Sequence, residues 1–209
     1  MLIYSPNMLK TYETCPKKFY YQYIKHLNIP KFTTPFEKGK KIHALANYYL
    51  QGINISRIQT ALSTEEQAAW QTLLENPYFM KKCFKSEFSI SCKIKDFWIG
   101  GRIDAIVHDD KDYYILDYKT GMTPKNSEFD YQTIVYLLCM NKFLTNYDNL
   151  SFVYISLKEM KNHIIKFTPE LKSEYENRIE KICAKISNDK LYKQDFQSCE
   201  HCEYKSLCG

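Results

Sequence analysis

The 209-residue sequence predicts one domain of the α/β class, with α+β as the alternative that the same order of elements allows. Two observations carry this. Helical periodicity gives way to strand patterning between Phe84 and Lys119, and again between Leu150 and Phe167, with helical segments before, between and after. No internal repeat and no domain-separating linker interrupts the chain, whose length suffices to bury a core without disulfides.

The elements follow in order. Ser5-Pro6 reads as a helix N-cap with proline at the first helical position, opening a helix to about His26 that carries Leu9, Tyr12, Phe19, Tyr20 and Tyr23. Asn28 to Pro35 is a loop with two prolines. A second helix starts near Phe36 and ends before Gly52. Ser63-Thr64-Glu65-Glu66 matches a capping box ahead of a third helix through Leu74. Phe84–Lys95, Phe97–Val107 and Tyr113–Lys119 read as three strands, with a polar turn at His108 to Asp112. Ser127 to Asp130 starts a helix ending near Leu144. Leu150–Leu157 and His163–Phe167 are two further strands, and Thr168-Pro169 opens a last helix to about Asn188. Residues 195 to 209 form a short tail with three cysteines.

Composition narrows the class. Hydrophobic residues at 44% and charged residues at 25% match globular proteins and exclude disordered or fibrous chains. The longest apolar run, Ile134 to Met140, is far shorter than the roughly 20 residues needed to cross a bilayer. The N-terminus lacks the basic and apolar regions of a secretory signal, so a soluble, cytoplasmic protein without membrane association is expected. The net charge of +5 is compatible with a nucleic-acid partner without demonstrating one. Only Arg57, Arg102 and Arg178 are arginines among 29 basic residues, a lysine bias that fits an AT-rich genome. Lys38, Lys40 and Lys41 surround His43, and Lys81, Lys82 and Lys85 precede the strand holding Glu87. Each group could neutralise phosphates or lie on a solvated face. The 18 tyrosines include potential stacking platforms for single-stranded bases, though most belong in the core.

The most informative stretch is Gly100-Gly101-Arg102-Ile103-Asp104, a turn, then Ile115-Leu116-Asp117-Tyr118-Lys119. With a four-residue turn at Asp109 to Asp112, paired positions sum to 221, which sets Asp104 opposite Asp117. Their Cβ atoms would then be about 4.5–5.5 Å apart. Lys119, two residues beyond Asp117, emerges on the same face. Two adjacent carboxylates repel unless a positive group lies between them. A hard divalent cation such as Mg²⁺ fits, and with a lysine beside it the patch has the equipment for phosphodiester hydrolysis. The competing reading is a surface hairpin with Asp117 paired to Lys119 and Asp104 to Arg102. Against it, both aspartates interrupt apolar strand segments, where an unneeded carboxylate is costly.

GGRIDAIV…YYILDYKTG resembles the core of the PD-(D/E)XK nuclease superfamily, in particular its RecB-like exonuclease branch. Gly39-Lys40-Lys41-Ile42-His43 resembles that branch's GxxxH motif, and Gln132 to Tyr136 its QxxxY motif. Ser5 to Leu9 together with Cys15 to Tyr21 resemble its N-terminal signature. The resemblance implies a mixed central sheet flanked by helices. It implies Mg²⁺ or Mn²⁺ held by His43, Asp104, Asp117 and the Tyr118 carbonyl. Lys119 would position or activate the attacking water, and Gln132 and Tyr136 would steady the lysine or contact DNA. Glu87 is open between a supporting role at this site and a solvated edge charge.

Eight cysteines without an export signal point away from a disulfide framework. Cys199, Cys202 and Cys208 form a C-x₂-C-x₅-C ligand pattern, and Cys15, beside Pro16, is the best fourth ligand. His201 between two of them reads as supporting or exposed. Cys83, Cys92, Cys139 and Cys183 neighbour apolar residues and read as core thiols. Spacing alone leaves zinc and an iron–sulfur cluster open. The resemblance to cluster-bearing RecB-like nucleases implies a 4Fe–4S cluster tying the two ends together. The implied organisation is a single domain over residues 1–209. It comprises an N-terminal helix with the first cluster cysteine (1–35), a nuclease core (36–190) and a cluster-binding tail (191–209). The implied substrate is DNA, single-stranded and cut from an end, in repair, recombination or CRISPR spacer acquisition. A helicase or spacer-integration proteins are the implied partners. A catalytically silent DNA-binding or assembly subunit, or a zinc-stapled protein, would be the rivals.

Overall fold

The computed structural model describes residues 2–27, 29, 35–200 and 202–208, with the backbone alone described for 35–38. Most of the expected 28–35 loop, the Lys38 side chain and His201 lie outside the described residues. The elements in chain order are β1 (Ile3–Tyr4), α1 (Pro6–Thr14), α2 (Pro16–Phe19), α3 (Pro35–Leu50), α4 (Ser56–Gln59), α5 (Thr64–Leu74), β2 (Lys82–Ile94), β3 (Phe97–Asp109), β4 (Asp112–Lys119), α6 (Tyr131–Phe143), β5 (Asn149–Ser156), β6 (Lys161–Lys166) and α7 (Pro169–Asn188).

The caps form where the sequence places them. Ser5 accepts from the Met8 amide, Thr168 accepts from the Leu171 amide, and Ser63 and Glu66 make a reciprocal capping box. The expected first helix is broken. Cys15 is extended, with φ −160° and ψ 108°, because the following Pro16 disfavours helical backbone at its neighbour. Cys15 thereby ends α1 and caps α2, which runs on into a π-helical turn over Tyr20–Ile24.

Six strands form one mixed sheet, ordered β1-β3-β4-β5-β6 with β2 also paired to β3. The β2/β3, β3/β4 and β5/β6 pairings are antiparallel; β1/β3 and β4/β5 are parallel. The β3/β4 register matches the sequence arithmetic, Ala105 with Leu116 through Asp109 with Asp112. The turn is tighter than expected, two residues with Asp110 left-handed at φ 50°, since both strands extend symmetrically by one residue. Because β2 covers one edge of β3 throughout, β1 at Trp98–Ile99 and β4 from Ala105 onward share the other edge. Between them, Gly100 to Asp104 has no strand neighbour on that side among the described pairings. The site lies at this gap.

Helices cover both faces, which settles the class as α/β. On one face Leu9, Ile134, Leu138 and Ile179, from α1, α6 and α7, pack on Ile99, Ile103, Ile115 and Phe152. On the other, Ile42, Leu45, Trp70 and Leu73, from α3 and α5, pack on Ala105, Leu116, Tyr118 and Val153. Strand alternation would place Ile103 and Ala105 on one face, yet they belong to opposite cores. The reversal falls at Asp104, opposite Glu87, whose backbone is left-handed at φ 46°. Such irregularities re-aim side chains next to active sites. Among the described residues no helix is long and apolar enough to cross a membrane.

Candidate active site

Beyond Ala105 and Leu116 the β3/β4 ladder stops, while β4 continues alongside β5 to Lys119 and Ser156. Asp104 fills the gap with its side chain, Oδ2 accepting from the Tyr118 amide at 3.4 Å. His43, on α3, brackets the same point. Its Nδ1 lies 3.3 Å from Asp104 Oδ2, and its Nε2 lies 2.9 Å from the Tyr118 carbonyl. Burial opposes a charge on His43, yet hydrogen bonding to Asp104, the charges of Asp104 and Asp117 and the Tyr118 carbonyl outweigh it. Its pKa is raised above the ordinary 6.5.

Asp117 faces the α6 layer. Gln132 Nε2 donates to its Oδ1, and Lys119 Nζ lies 2.8 Å from its Oδ2 and 3.1 Å from Gln132 Oε1. The lysine also lies over the Tyr154 ring, at 5.6 Å. Asp117 Oδ2 is buried, with the ammonium beside it. Asp117 is only 3% exposed. Burial raises its pKa to about 6, the Lys119 charge opposing and the Asp104 charge reinforcing the shift.

The structure thus brings together His43, Asp104, Asp117, the Tyr118 carbonyl, Lys119 and Gln132, in two adjoining halves. Asp104 meets His43 from the α3 side, and Asp117 meets Lys119 and Gln132 from the α6 side. Tyr136 does something other than steady the lysine: its hydroxyl donates to the Arg102 carbonyl at 2.7 Å, where β3 has β2 on one edge and no strand on the other among the described pairings. Gly101 permits this, since a Cβ there would fall 2.9 Å from the tyrosine ring and hydroxyl. Arg102 pairs with Glu87 at 2.8 Å, not with Asp104. Glu87 joins His43 and Asp104, one ligand atom from each lying within 4.8 Å of the others. The register shows why: Ser86 pairs with Ala105 and Phe88 with Ile103, which sets Glu87 opposite Asp104. The same addition that placed Asp104 opposite Asp117, applied across the Lys95-Asp96 turn, reaches this position from sequence.

His43, Glu87, Arg102, Asp104, Tyr118 and Lys119 border a cleft of about 510 Å³, lined also by Lys40, Asn47 and Tyr48. Lys41 and Lys81 are taken up by Glu66 and Asp109, at 3.1 and 2.8 Å. The donor set suits a hard divalent cation, being two carboxylates, an imidazole and a peptide carbonyl. Asp117 carries the plainest mark, a buried carboxylate whose ionised form its surroundings disfavour.

Cys92, Cys139 and Cys183 are buried in the core and Cys83 is half-buried. Cys15, Cys199, Cys202 and Cys208 gather where the two chain ends meet. Burial, then the other three sulfurs, raise the Cys208 pKa, with Lys17 opposing. Cys15 Sγ accepts from the amides of Lys18 and Asp195, at 3.4 and 3.5 Å. Direct bonds reinforce this junction: Tyr12 to Asp189 at 2.7 Å, Lys18 to Glu203 at 2.9 Å, Tyr21 to the Leu207 carbonyl at 2.6 Å and Tyr204 to the Leu27 carbonyl at 2.8 Å. Tyr4 and Tyr12 are therefore core residues, and Tyr20 packs on Tyr192.

A mixed sheet between helices, with a carboxylate, histidine and lysine centre at its parted strands, defines a class of phosphodiesterase. The family comparison agrees. Residues 3–86 and 81–209 match the model of the PD-(D/E)XK nuclease superfamily, and the chain belongs to that superfamily. It is similar to the CRISPR-associated exonuclease Cas4 of Francisella tularensis subsp. novicida (strain U112), with 21% identity over 97% of this chain and 92% of that one. In fold it is similar to a crystal structure from Eubacterium rectale provisionally described as an exonuclease. The TM-score is 0.62 at 10% identity, over 98% of this chain and 87% of that one.

Proposed function

We propose that the protein is a Mg²⁺- or Mn²⁺-dependent deoxyribonuclease that removes nucleotides from the ends of single-stranded DNA. The observation that carries this is the meeting of His43, Asp104, Asp117 and the Tyr118 carbonyl at the point where β3 and β4 part, with Lys119 beside them. Those four groups would hold the ion, which acidifies a water and stabilises negative charge on phosphate oxygens. The chain's own residues prepare the rest. Gln132, bonded to both Lys119 and Asp117, fixes the spacing between ammonium and carboxylate. Lys119, 26% exposed, presents its charge at the cleft, where it positions the attacking water and meets the phosphate. The relative named as a CRISPR-associated exonuclease, matched over nearly the whole chain, makes spacer acquisition the first context to test, ahead of general repair or recombination. Spacer-integration proteins or a helicase are the partners to seek there.

The test is an end-labelled oligonucleotide with Mn²⁺, run beside the same sequence circularised. Stepwise shortening of the linear strand, an intact circle and no cleavage by Asp117→Ala support the reading. An intact linear strand, or equal cleavage by Asp117→Ala, overturns it.

Cys15, Cys199, Cys202 and Cys208 are proposed to hold a 4Fe–4S cluster. A tetrahedral zinc with Zn–S about 2.3 Å sets its sulfurs about 3.8 Å apart. The spacing admits either group, and the resemblance of an N-terminal cysteine plus C-x₂-C-x₅-C to the cluster-bearing RecB-like nucleases favours the iron–sulfur core over such an ion. Ligands separated by nearly the whole chain close a very large loop, so the cluster contributes to folding. Anaerobically purified protein should be brown, with iron and sulfide in equal amounts; colourless protein containing zinc overturns this.

A further inference from the structure

We infer that Arg102 is a phosphate-binding residue for the strand entering the cleft, and that Glu87 positions it. This rests on the nuclease reading and names a substrate contact within it.

Arginine is scarce here, three of 29 basic residues. Arg178 is occupied by Glu13 at 3.4 Å and by the Tyr131 ring at 4.8 Å, and Arg57 belongs to the four-residue α4. Arg102 alone of the three lines the active-site cleft, two residues before Asp104 on β3. A lysine there would supply the charge, but a guanidinium adds a planar fork that binds two phosphate oxygens at once.

Its setting is built from three directions. The Tyr136 hydroxyl holds its carbonyl in the gap between β1 and β4 along β3, and Gly101 leaves room for that ring. Glu87 Oε2 takes its Nε at 2.8 Å, from a residue held left-handed on β2. An Nε contact fixes the guanidinium plane while leaving the opposite, NH₂-bearing edge suited to a phosphate, and the side chain remains 69% exposed. The cleft also needs this charge. Glu87 and Asp104 line it beside His43, and a polyanion must approach those carboxylates.

The test is fluorescence anisotropy with a labelled single-stranded oligonucleotide in Ca²⁺, its integrity checked on a gel, across a salt series. Arg102→Ala should bind about 10-fold more weakly, as expected for one charge-assisted contact. Its log–log salt slope should fall by about 0.7, as for one lost phosphate on a single strand. Arg102→Lys should keep the slope and lose about threefold in affinity, the fork being gone while the charge stays. Removing the Glu87 charge eases repulsion of the strand in any background, so the positioning role is read from the coupling: Glu87→Gln should be less favourable to binding in the wild-type background than on top of Arg102→Ala, since it also acts through the arginine. Mn²⁺ affinity by calorimetry should be unchanged in all three. An unchanged slope in Arg102→Ala overturns the phosphate contact. Additive effects, or a loss of Mn²⁺ affinity in Glu87→Gln, overturn the positioning role and assign Glu87 to the ion. Wild-type protein that neither binds nor cuts the strand refutes the nuclease reading and this inference with it. Wild-type protein that cuts normally while Arg102→Ala retains affinity and slope refutes this inference alone.

Discussion

Replacing Asp117 with asparagine should stabilise the metal-free protein while abolishing its activity. The carboxylate is buried, and its pKa of about 6 stands against 3.8 in the unfolded chain. At about 1.4 kcal/mol per unit, ionised Asp117 costs the fold roughly 3 kcal/mol at pH 8. Asparagine removes the charge and keeps an oxygen for Gln132 Nε2. The ion pair with Lys119 is already inside that figure, since the lysine's charge opposes the rise in pKa. A net gain near 3 kcal/mol corresponds to a rise in Tm of about 6–12 °C for a chain of this length. The pH dependence has a definite sign. For a carboxylate whose folded pKa is raised, the penalty is complete above the folded value and fades as pH falls toward the unfolded one. The advantage of Asp117→Asn should therefore be largest at pH 8 and shrink to roughly half at pH 5. Thermal melts in EDTA at several pH values measure it directly. An Asp117→Asn protein that melts below wild type at pH 8, or a difference independent of pH, would refute the reasoning.

Further expectations follow from other parts of the site. His43 has a raised pKa and would have to lose its proton to ligate an ion, so Mn²⁺ binding near pH 7 should release protons and weaken as pH falls. Calorimetry in buffers of different ionisation heat should show this release in wild type and less of it in His43→Asn. Without metal, the stabilisation His43 gains from Asp104 is present below pH 6.5 and lost as pH rises through its higher folded value. Tyr136→Phe leaves the Arg102 carbonyl without its partner and should cost about 1–2 kcal/mol in urea unfolding, with Mn²⁺ affinity retained. Gly100→Ala should be far worse, since its Cβ would lie 2.5 Å from the Ile90 carbonyl; soluble protein with a normal Tm would contradict the close β2/β3 approach. Cys202→Ala should lose the iron chromophore and express poorly, and normal solubility and melting would remove the stapling role.

How much of this was legible in the sequence depended on whether the signal was local and periodic. Strand register followed from turn placement, because residues added symmetrically to both strands leave the pairing sum unchanged; a two-residue turn gave the same partners as a four-residue one. Capping residues act within three positions and were legible at Ser5, Ser63 and Thr168. The break at Cys15 carried its own sign in Pro16 but was overridden by the aromatic periodicity running through it. β1, only two residues long, has no period to detect. The reversal of β3 at Asp104 lies opposite the left-handed backbone of Glu87, which nothing in a Ser-Glu-Phe stretch announces. That reversal turns the expected one-sided patch into a site built from two layers, with His43 reaching it from α3 and Gln132 from α6. Tyr136 was found by its spacing from Gln132, yet its partner is a backbone carbonyl exposed only because β1 and β4 leave a gap along β3.

The most direct measurement is anomalous diffraction at the manganese edge from crystals grown with Mn²⁺. A peak within about 2.5 Å of carboxylate oxygens from both Asp104 and Asp117, and of the Tyr118 carbonyl, is the predicted result. Density confined to surface carboxylates, with His43 still bonded to Asp104 and the Tyr118 carbonyl, would contradict the account.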